Sequence, residues 1–322
     1  MKKILKITVI ILGFFIVILV ATVTLEQYKK YDAPYPKIHA LKDTATLRRG
    51  KYLVTALGHC ADCHSSAKDY DLVNLGKVIS LSGGKLFKLP IGTMQAPNIT
   101  QDEETGIGSL TDSQIARALR YGVGHDGRAL FPFMNYQNLT DKDLTAVVSY
   151  LRTLAPVKNK IIIRNFNTLG YIANAFFIKP VGPEQIPATD LRSDTTAKYG
   201  KYLALSVSGC RDCHTNRDLQ TGAFIGPENA GGFHMESETD PDHYECITPN
   251  LTPDKSTGRL TNWSKKIFIS RFKAGKLIKH SPMPWGPFKA IKNEDLTAIY
   301  NYLKSLKPIH NPVTNTLIKL KK

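Results

Sequence analysis

The alternation of apolar and polar positions divides the chain into segments of different character. Ile7 to Leu25 carries no charged residue and follows Lys2, Lys3 and Lys6. About 20 apolar residues cross a bilayer, and leading lysines favour a cytoplasmic N-terminus. A signal peptide has a shorter apolar core of ~7–15 residues, and no small-x-small cleavage site closes this run. Residues 1–28 are therefore expected to be a retained membrane anchor. Residues 29–44, with Pro34 and Pro36, read as an extended tether. Leu47 to Leu57 has helical spacing. Ser65 to Asp102 has turn formers instead, Gly83-Gly84, Pro90 and Pro97. Thr111-Asp112-Ser113-Gln114 predicts a capping box opening a helix, with Ile115, Ala118 and Leu119 on one face. A further helix is expected from Thr140, because Leu144, Val147, Val148 and Leu151 fall at i, i+3, i+4 and i+7. Ile161 to Ile178 is rich in isoleucine and phenylalanine, but Arg164, Asn165 and Asn167 make it too polar to span a membrane. Residues 158–194 are expected to be a partly helical linker packed between the two domains, with contact to a membrane surface as the alternative.

The second half repeats the first. Gly50-Lys51-Tyr52-Leu53 returns as Gly200-Lys201-Tyr202-Leu203, and Ala96-Pro97-Asn98-Ile99-Thr100 returns as Thr248-Pro249-Asn250-Leu251-Thr252. The closing stripe returns as Leu296, Ile299, Tyr300 and Leu303. A repeat this long is a duplicated domain rather than a solenoid. Two domains are predicted, 45–157 and 195–310, with a basic tail over 311–322.

The chemistry of the chain lies in Cys60-Ala61-Asp62-Cys63-His64 and its second occurrence, Cys210-Arg211-Asp212-Cys213-His214. Cys-x-x-Cys-His is the attachment signature of a c-type haem. Two thiols on about one helical turn can form thioethers with the two vinyl groups of one porphyrin. The histidine on the same face then reaches the iron from the proximal side. The expectation is two covalent haem c groups, held by Cys60, Cys63, Cys210 and Cys213, with His64 and His214 as iron ligands. Covalent attachment takes place on the far side of a bacterial inner membrane. Besides the start residue there are four methionines. Met134, in Phe131-Pro132-Phe133-Met134, and Met283, in Pro282-Met283-Pro284-Trp285, stand at matched distances from their motifs, each ahead of its half's closing stripe. They are the expected distal ligands. His125 and His280 lie near these loops, but their repeat positions do not match. Asn98 and Asn250 either hydrogen-bond the haem or shape their loop.

Composition narrows the partners. The chain has 322 residues, 42% of them hydrophobic, and a formal net charge of +16, which is globular rather than disordered. The basic residues are spread along the chain and no nucleic-acid motif accompanies them, so acidic redox partners or anionic lipid fit better than nucleic acid. Cys246, outside both motifs, reads as a buried free thiol.

The runs Gly83-Gly84, Pro97-Asn98-Ile99-Thr100, Thr105-Gly106-Ile107-Gly108, Asp126-Gly127-Arg128 and the Met134 loop resemble the cytochrome c subunit of membrane-bound alcohol and gluconate dehydrogenases. Pro249-Asn250-Leu251-Thr252-Pro253-Asp254, Thr257-Gly258 and the Met283 loop resemble it again. Members of that family typically hold three haems, against two attachment motifs here. The expected fold is all-α, two tandem class I-like cytochrome c domains, and the N-terminal transmembrane helix ahead of them is a departure from that family. The resemblance implies an electron carrier rather than an enzyme, and the apolar N-terminal run leads one to expect it single-pass in a bacterial inner membrane with its haem domains in the periplasm. Its partners would be a dehydrogenase subunit, a quinol-linked complex or a terminal oxidase, with no small-molecule substrate. The alternative is a di-haem peroxidase, which needs one iron with an open distal site; matched methionines in both halves argue against it.

Overall fold

Lys2–Glu26 form one continuous helix, α1, in the computed structural model, which describes residues 2–218 and 223–320. At 1.5 Å per residue α1 is about 37 Å long, enough for a hydrocarbon layer of about 30 Å. Its apolar stretch of 18 residues has a mean hydropathy of 3.0, and none of the helix's side chains is buried. The same length and composition serve an anchor or an export signal. The segment after it is not a loose tether. Arg117 is buried and donates to the Tyr35 hydroxyl and the Tyr31 carbonyl, both at 2.9 Å. Tyr31 N–H reaches the Gly127 carbonyl at 2.8 Å. Ala40 N–H reaches Asp112 and Leu41 N–H reaches Ser149, each at 2.8 Å. With Ile38 buried as well, residues 29–44 form a strap over the first half.

The first half opens with α2 (Thr44–Tyr52), capped by the Asp43 carboxylate on Thr46 N–H, and runs on through a π-helical turn, Leu53–Leu57. Two short helices follow, α3 (Ala61–His64) and α4 (Tyr70–Asn74). A hairpin of β1 (Leu86–Leu89) and β2 (Gly92–Gln95) precedes α5 (Asp112–Tyr121) and α6 (Asp141–Leu151). The Thr111 capping box and the Thr140 cap both form as their sequences require. The chain then returns as β3 (Arg164–Phe166) and α7 (Thr168–Phe176). The second half repeats the order: α8 (Ala197–Tyr202), a π-helical turn at Leu203–Val207, and α9 (Cys210–His214). Then come β4 (His234–Glu236), β5 (Tyr244–Ile247), α10 (Lys265–Lys273), a short α11 (Trp285–Phe288), α12 (Asn293–Ser305) and β6 (Leu317–Lys319).

The all-α expectation needs correction, because each half carries a three-stranded antiparallel sheet, β1-β2-β3 and β4-β5-β6. In each hairpin the outer edge of the second strand, β2 or β5, would otherwise be a row of unpaired backbone groups. In the first half the linker covers that edge, with Met94 opposite Arg164. In the second half the basic tail covers it, with Cys246 opposite Leu317. Met94 and Cys246 occupy the same buried position of the middle strand, so Cys246 is a core residue at a methionine's place.

Each closing helix buries its stripe against the opening helix of its own half. Leu144, Val148 and Leu151 pack with Leu53, Val54 and Leu57, and Leu296, Ile299 and Leu303 pack with Leu203, Ala204 and Val207. A Cβ at Gly50 would run into the Ala146 carbonyl, and one at Gly200 into the Ala298 carbonyl. Glycine lets these backbones touch.

The two cores merge into one cluster, tied by reciprocal hydrogen bonds. The Tyr52 hydroxyl donates to Asp295 at 2.6 Å and accepts from Lys292 N–H at 3.0 Å. The Tyr202 hydroxyl donates to Asp143 at 2.7 Å and accepts from Thr140 N–H at 3.3 Å. Each tyrosine thus caps the other half's closing helix. Burial first, and then the facing carboxylate, raise both phenols well above their usual range, so they stay protonated donors. The symmetry breaks at one point, where Arg49 grips Asp143 with two bonds of 2.8 and 2.7 Å.

Two outcomes follow for stability. Gly50→Ala or Gly200→Ala should cost ~1–3 kcal/mol by forcing the crossing helices apart, read as a lowered midpoint of thermal unfolding. Tyr52→Phe should cost about 2–3 kcal/mol and Tyr202→Phe about 1 kcal/mol, because Asp143 keeps Arg49 while Asp295 loses the side chain that satisfies it. Equal losses in denaturant titrations would contradict this.

Candidate functional site

Both attachment motifs are delivered the same way. The π-helical turn lets the Leu53 carbonyl accept from Gly58 N–H at 2.7 Å, and the Leu203 carbonyl accept from Ser208 N–H at 2.8 Å. The next residue is left-handed in both halves, His59 at φ 37° and Gly209 at φ 63°. This swings the chain into one turn of helix, where His64 N–H donates to the Cys60 carbonyl at 2.8 Å. Cys60, Cys63 and His64 are thereby brought onto a single turn, as are Cys210, Cys213 and His214.

All four motif cysteines are free and partly buried. Burial pushes the Cys60 and Cys210 thiols up to about 12, and the Cys63 and Cys213 thiols up to about 11. Thiols held neutral are poor thiolate ligands and slow redox nucleophiles. Among the described residues, no three His, Cys, Asp or Glu side chains are grouped to hold a bare metal ion.

The histidines are buried and held from two sides. His64 Nδ1 lies 2.8 Å from the Pro97 carbonyl and His214 Nδ1 lies 3.0 Å from the Pro249 carbonyl. Since a carbonyl only accepts, Nδ1 carries the proton and the lone pair is left on Nε2. Burial lowers both imidazoles, against the opposing pull of the prolyl carbonyl, and keeps them neutral. Each histidine's own carbonyl accepts from a glycine N–H, Gly83 at 2.8 Å and Gly231 at 2.7 Å. Both glycines have positive φ and lie against the following prolyl segment, where a Cβ would collide with it. Two neutral thiols a turn apart and not bonded to each other, beside an imidazole with Nε2 free, fit a covalently held haem with histidine ligation.

Asn98 and Asn250 shape their loops. Asn98 Nδ2 donates to Thr105 Oγ1 at 3.1 Å and to the Val157 carbonyl at 2.7 Å, while its Oδ1 accepts from Thr100 N–H and Oγ1. Asn250 repeats this with Thr257, the Ile309 carbonyl and Thr252. Each asparagine is spent on fixing the prolyl carbonyl next to it.

Met134 and Met283 are half-buried, each in the loop before its closing helix. The Met134 loop is drawn to the first attachment turn by Tyr136, whose hydroxyl donates to the Gly58 carbonyl at 2.5 Å. Its neighbour Asn135 lies against Gly209 and reaches the Leu205 carbonyl at 3.5 Å, so two adjacent residues touch the approaches to both motifs. Met283 packs on the common core, and its carbonyl accepts from Trp285 N–H at 2.7 Å. His280 accepts from or donates to Ser237 and Thr239 and stacks on Tyr244 at 4.2 Å; His125 is exposed in a turn. Tyr52, Tyr136 and Tyr202 were not singled out as site residues from sequence. Tyr52 and Tyr202 were visible only as part of a repeat.

Residues 47–155 match the family model for cytochrome c. The chain carries a cytochrome c domain. Such a domain implies a covalently bound haem c. The chain is 31% identical over 277 residues to a subunit of the nicotinate dehydrogenase of Pseudomonas putida, covering 81% of this chain and 21% of that protein. It is 29% identical over 283 residues to the cytochrome c subunit of alcohol dehydrogenase (quinone) of Gluconobacter oxydans, covering 82% of this chain and 55% of that one. With a diheme cytochrome c-type protein of Cereibacter sphaeroides it shares 26% identity, over 83% of this chain and 88% of that one. The chain thus spans about a fifth to just over half the length of these two dehydrogenase subunits.

Removing the amide in Asn98→Ala leaves the Thr100 N–H without its partner and the Val157 carbonyl with only the longer bond from the Thr100 hydroxyl at 3.3 Å. It should cost ~1–3 kcal/mol per buried group left unpaired and lower the thermal stability of the first half, without preventing covalent haem attachment on haem-stained denaturing gels.

Proposed function

We propose that this chain is a membrane-anchored di-haem cytochrome c carrying electrons between a dehydrogenase or quinol-oxidising partner and a respiratory acceptor. One observation carries the reading. The turn of two neutral thiols and a carbonyl-held imidazole occurs twice, with prolyl carbonyls at 2.8 and 3.0 Å. On this reading 45–157 and 195–310 are both cytochrome c domains. Cys60, Cys63, Cys210 and Cys213 form the thioethers, His64 and His214 give Nε2 to iron, and Met134 and Met283 give their thioether sulfurs on the distal side. When bound, haem c supplies the one-electron couple, and methionine ligation raises its potential. The protein's part is to hold both histidine tautomers, exclude water and keep the two attachment turns in one rigid core, so that charge changes with little rearrangement. The chain performs no chemistry on a substrate of its own. The names of its relatives support a dehydrogenase partner, and α1 with Lys2, Lys3 and Lys6 supports a single-pass protein of a bacterial inner membrane with the soluble part in the periplasm.

The test is ligand exchange at each iron. Met134→Ala and Met283→Ala should each abolish the far-red charge-transfer band of one haem, lower that haem's midpoint potential and let it bind carbon monoxide at one equivalent per chain. The other haem should keep its spectrum. Wild-type protein that binds carbon monoxide readily, and reduces peroxide at a rate Met134→Ala does not raise, would favour the peroxidase instead.

A further inference from the structure

Helix α7 presents apolar side chains on the face turned away from the protein. Leu169 is 55% exposed, Phe176 40% and Phe177, just beyond the helix, 76%. With half-buried Ile172, Leu169 and Phe176 fall at i, i+3 and i+7, one stripe of a helix that contains no charged residue. The opposite face is committed. Gly170 and Ala175 are buried, Gly170 lies against the Ile91 carbonyl, and the Asn167 side chain donates to the Pro90 carbonyl at 2.9 Å.

What places this stripe is its connection to α1. Gln27 directly follows Glu26, the first charged residue after the apolar run. Its Nε2 donates to the Tyr171 carbonyl at 2.9 Å, and its Oε1 accepts from Asn174 Nδ2 at 2.7 Å. The Tyr31 hydroxyl adds a bond to the Ile178 carbonyl at 3.4 Å. The charged end of a spanning helix marks the level of the lipid headgroups. Exposed Lys29, Lys30, Lys88, Lys160 and Lys179 lie on the segments around this junction, and an apolar stripe flanked by cations suits the boundary between headgroups and acyl chains.

We propose that α7 lies in the headgroup layer of the bilayer crossed by α1, with Leu169, Phe176 and Phe177 dipped among the acyl chains, a second membrane contact that rests on the reading of α1 as an anchor. α7 is then an in-plane foot that stops the soluble part from rocking about the end of α1.

Spin labels report this in the full-length holoprotein reconstituted into vesicles of mixed zwitterionic and anionic lipid. The labels go on Phe177→Cys, on Phe15→Cys within α1, and on Leu277→Cys, an exposed position in the second half, each in a Cys246→Ser background; the thioether-bound motif cysteines do not react. The label at 177 should collide several-fold more with lipid-soluble oxygen than with a water-soluble nickel chelate, as at 15, and the label at 277 should show the reverse. A label at 177 as open to the chelate as that at 277, with the label at 15 in lipid, overturns the proposal and spares the anchor. A label at 15 open to the chelate overturns both.

Discussion

Each half must hold a histidine from an early turn against a loop that comes more than thirty residues later, and a single prolyl carbonyl makes that connection. Much of the site exists to keep the carbonyl in place. Asn98 ties its loop to Thr105 and to Val157, at the end of the domain. Gly83 lets a second strand of chain lie flat on the same segment while its N–H takes the histidine's carbonyl. The imidazole is gripped at ring and backbone, and only Nε2 is left free. An imidazole fixed in tautomer and direction does not have to reorganise when the charge beside it changes.

The same economy governs the joint between the halves. Polar bonds inside a merged core are useful only when every member is satisfied. The two tyrosine hydroxyls meet that condition by accepting from a helix N-terminus and donating to a carboxylate in the same turn. Arg49 makes the arrangement lopsided, since it reinforces Asp143 while Tyr199 stands at its place in the second half, itself accepting from Arg49 at 3.3 Å. The halves are alike in fold yet differ in the charge buried at their shared boundary.

Local features were legible from sequence. The Thr111 capping box, the helix start at Thr140 and the Leu144 stripe depend on residues within a turn or two, and they form as expected. Readings that depended on distant partners stayed open or fell. The Asn98 motif was visible as a repeat, but its role is decided by Val157, 59 residues away. Tyr52 was visible too, but not Asp295, 243 residues away. The sheets were missed because their third strands come from segments that look like linker and tail, and the need they meet is an open edge elsewhere. Cys246 looked unpaired because it stands in a core position, where its thiol donates to the His280 carbonyl at 3.2 Å instead of bonding another cysteine.

The strap over the first half bears on how such a protein meets others. A redox domain on a slack leash finds partners by sweeping a volume, and a longer leash enlarges that volume. Here Arg117 and the bonds at Tyr31, Ala40 and Leu41 hold the leash flat. The soluble part keeps a set attitude to the axis of α1. With α1 as the proposed anchor, its encounters would depend on sideways drift and on which face is offered, and extra residues inserted in the strap would bulge outward without extending its reach.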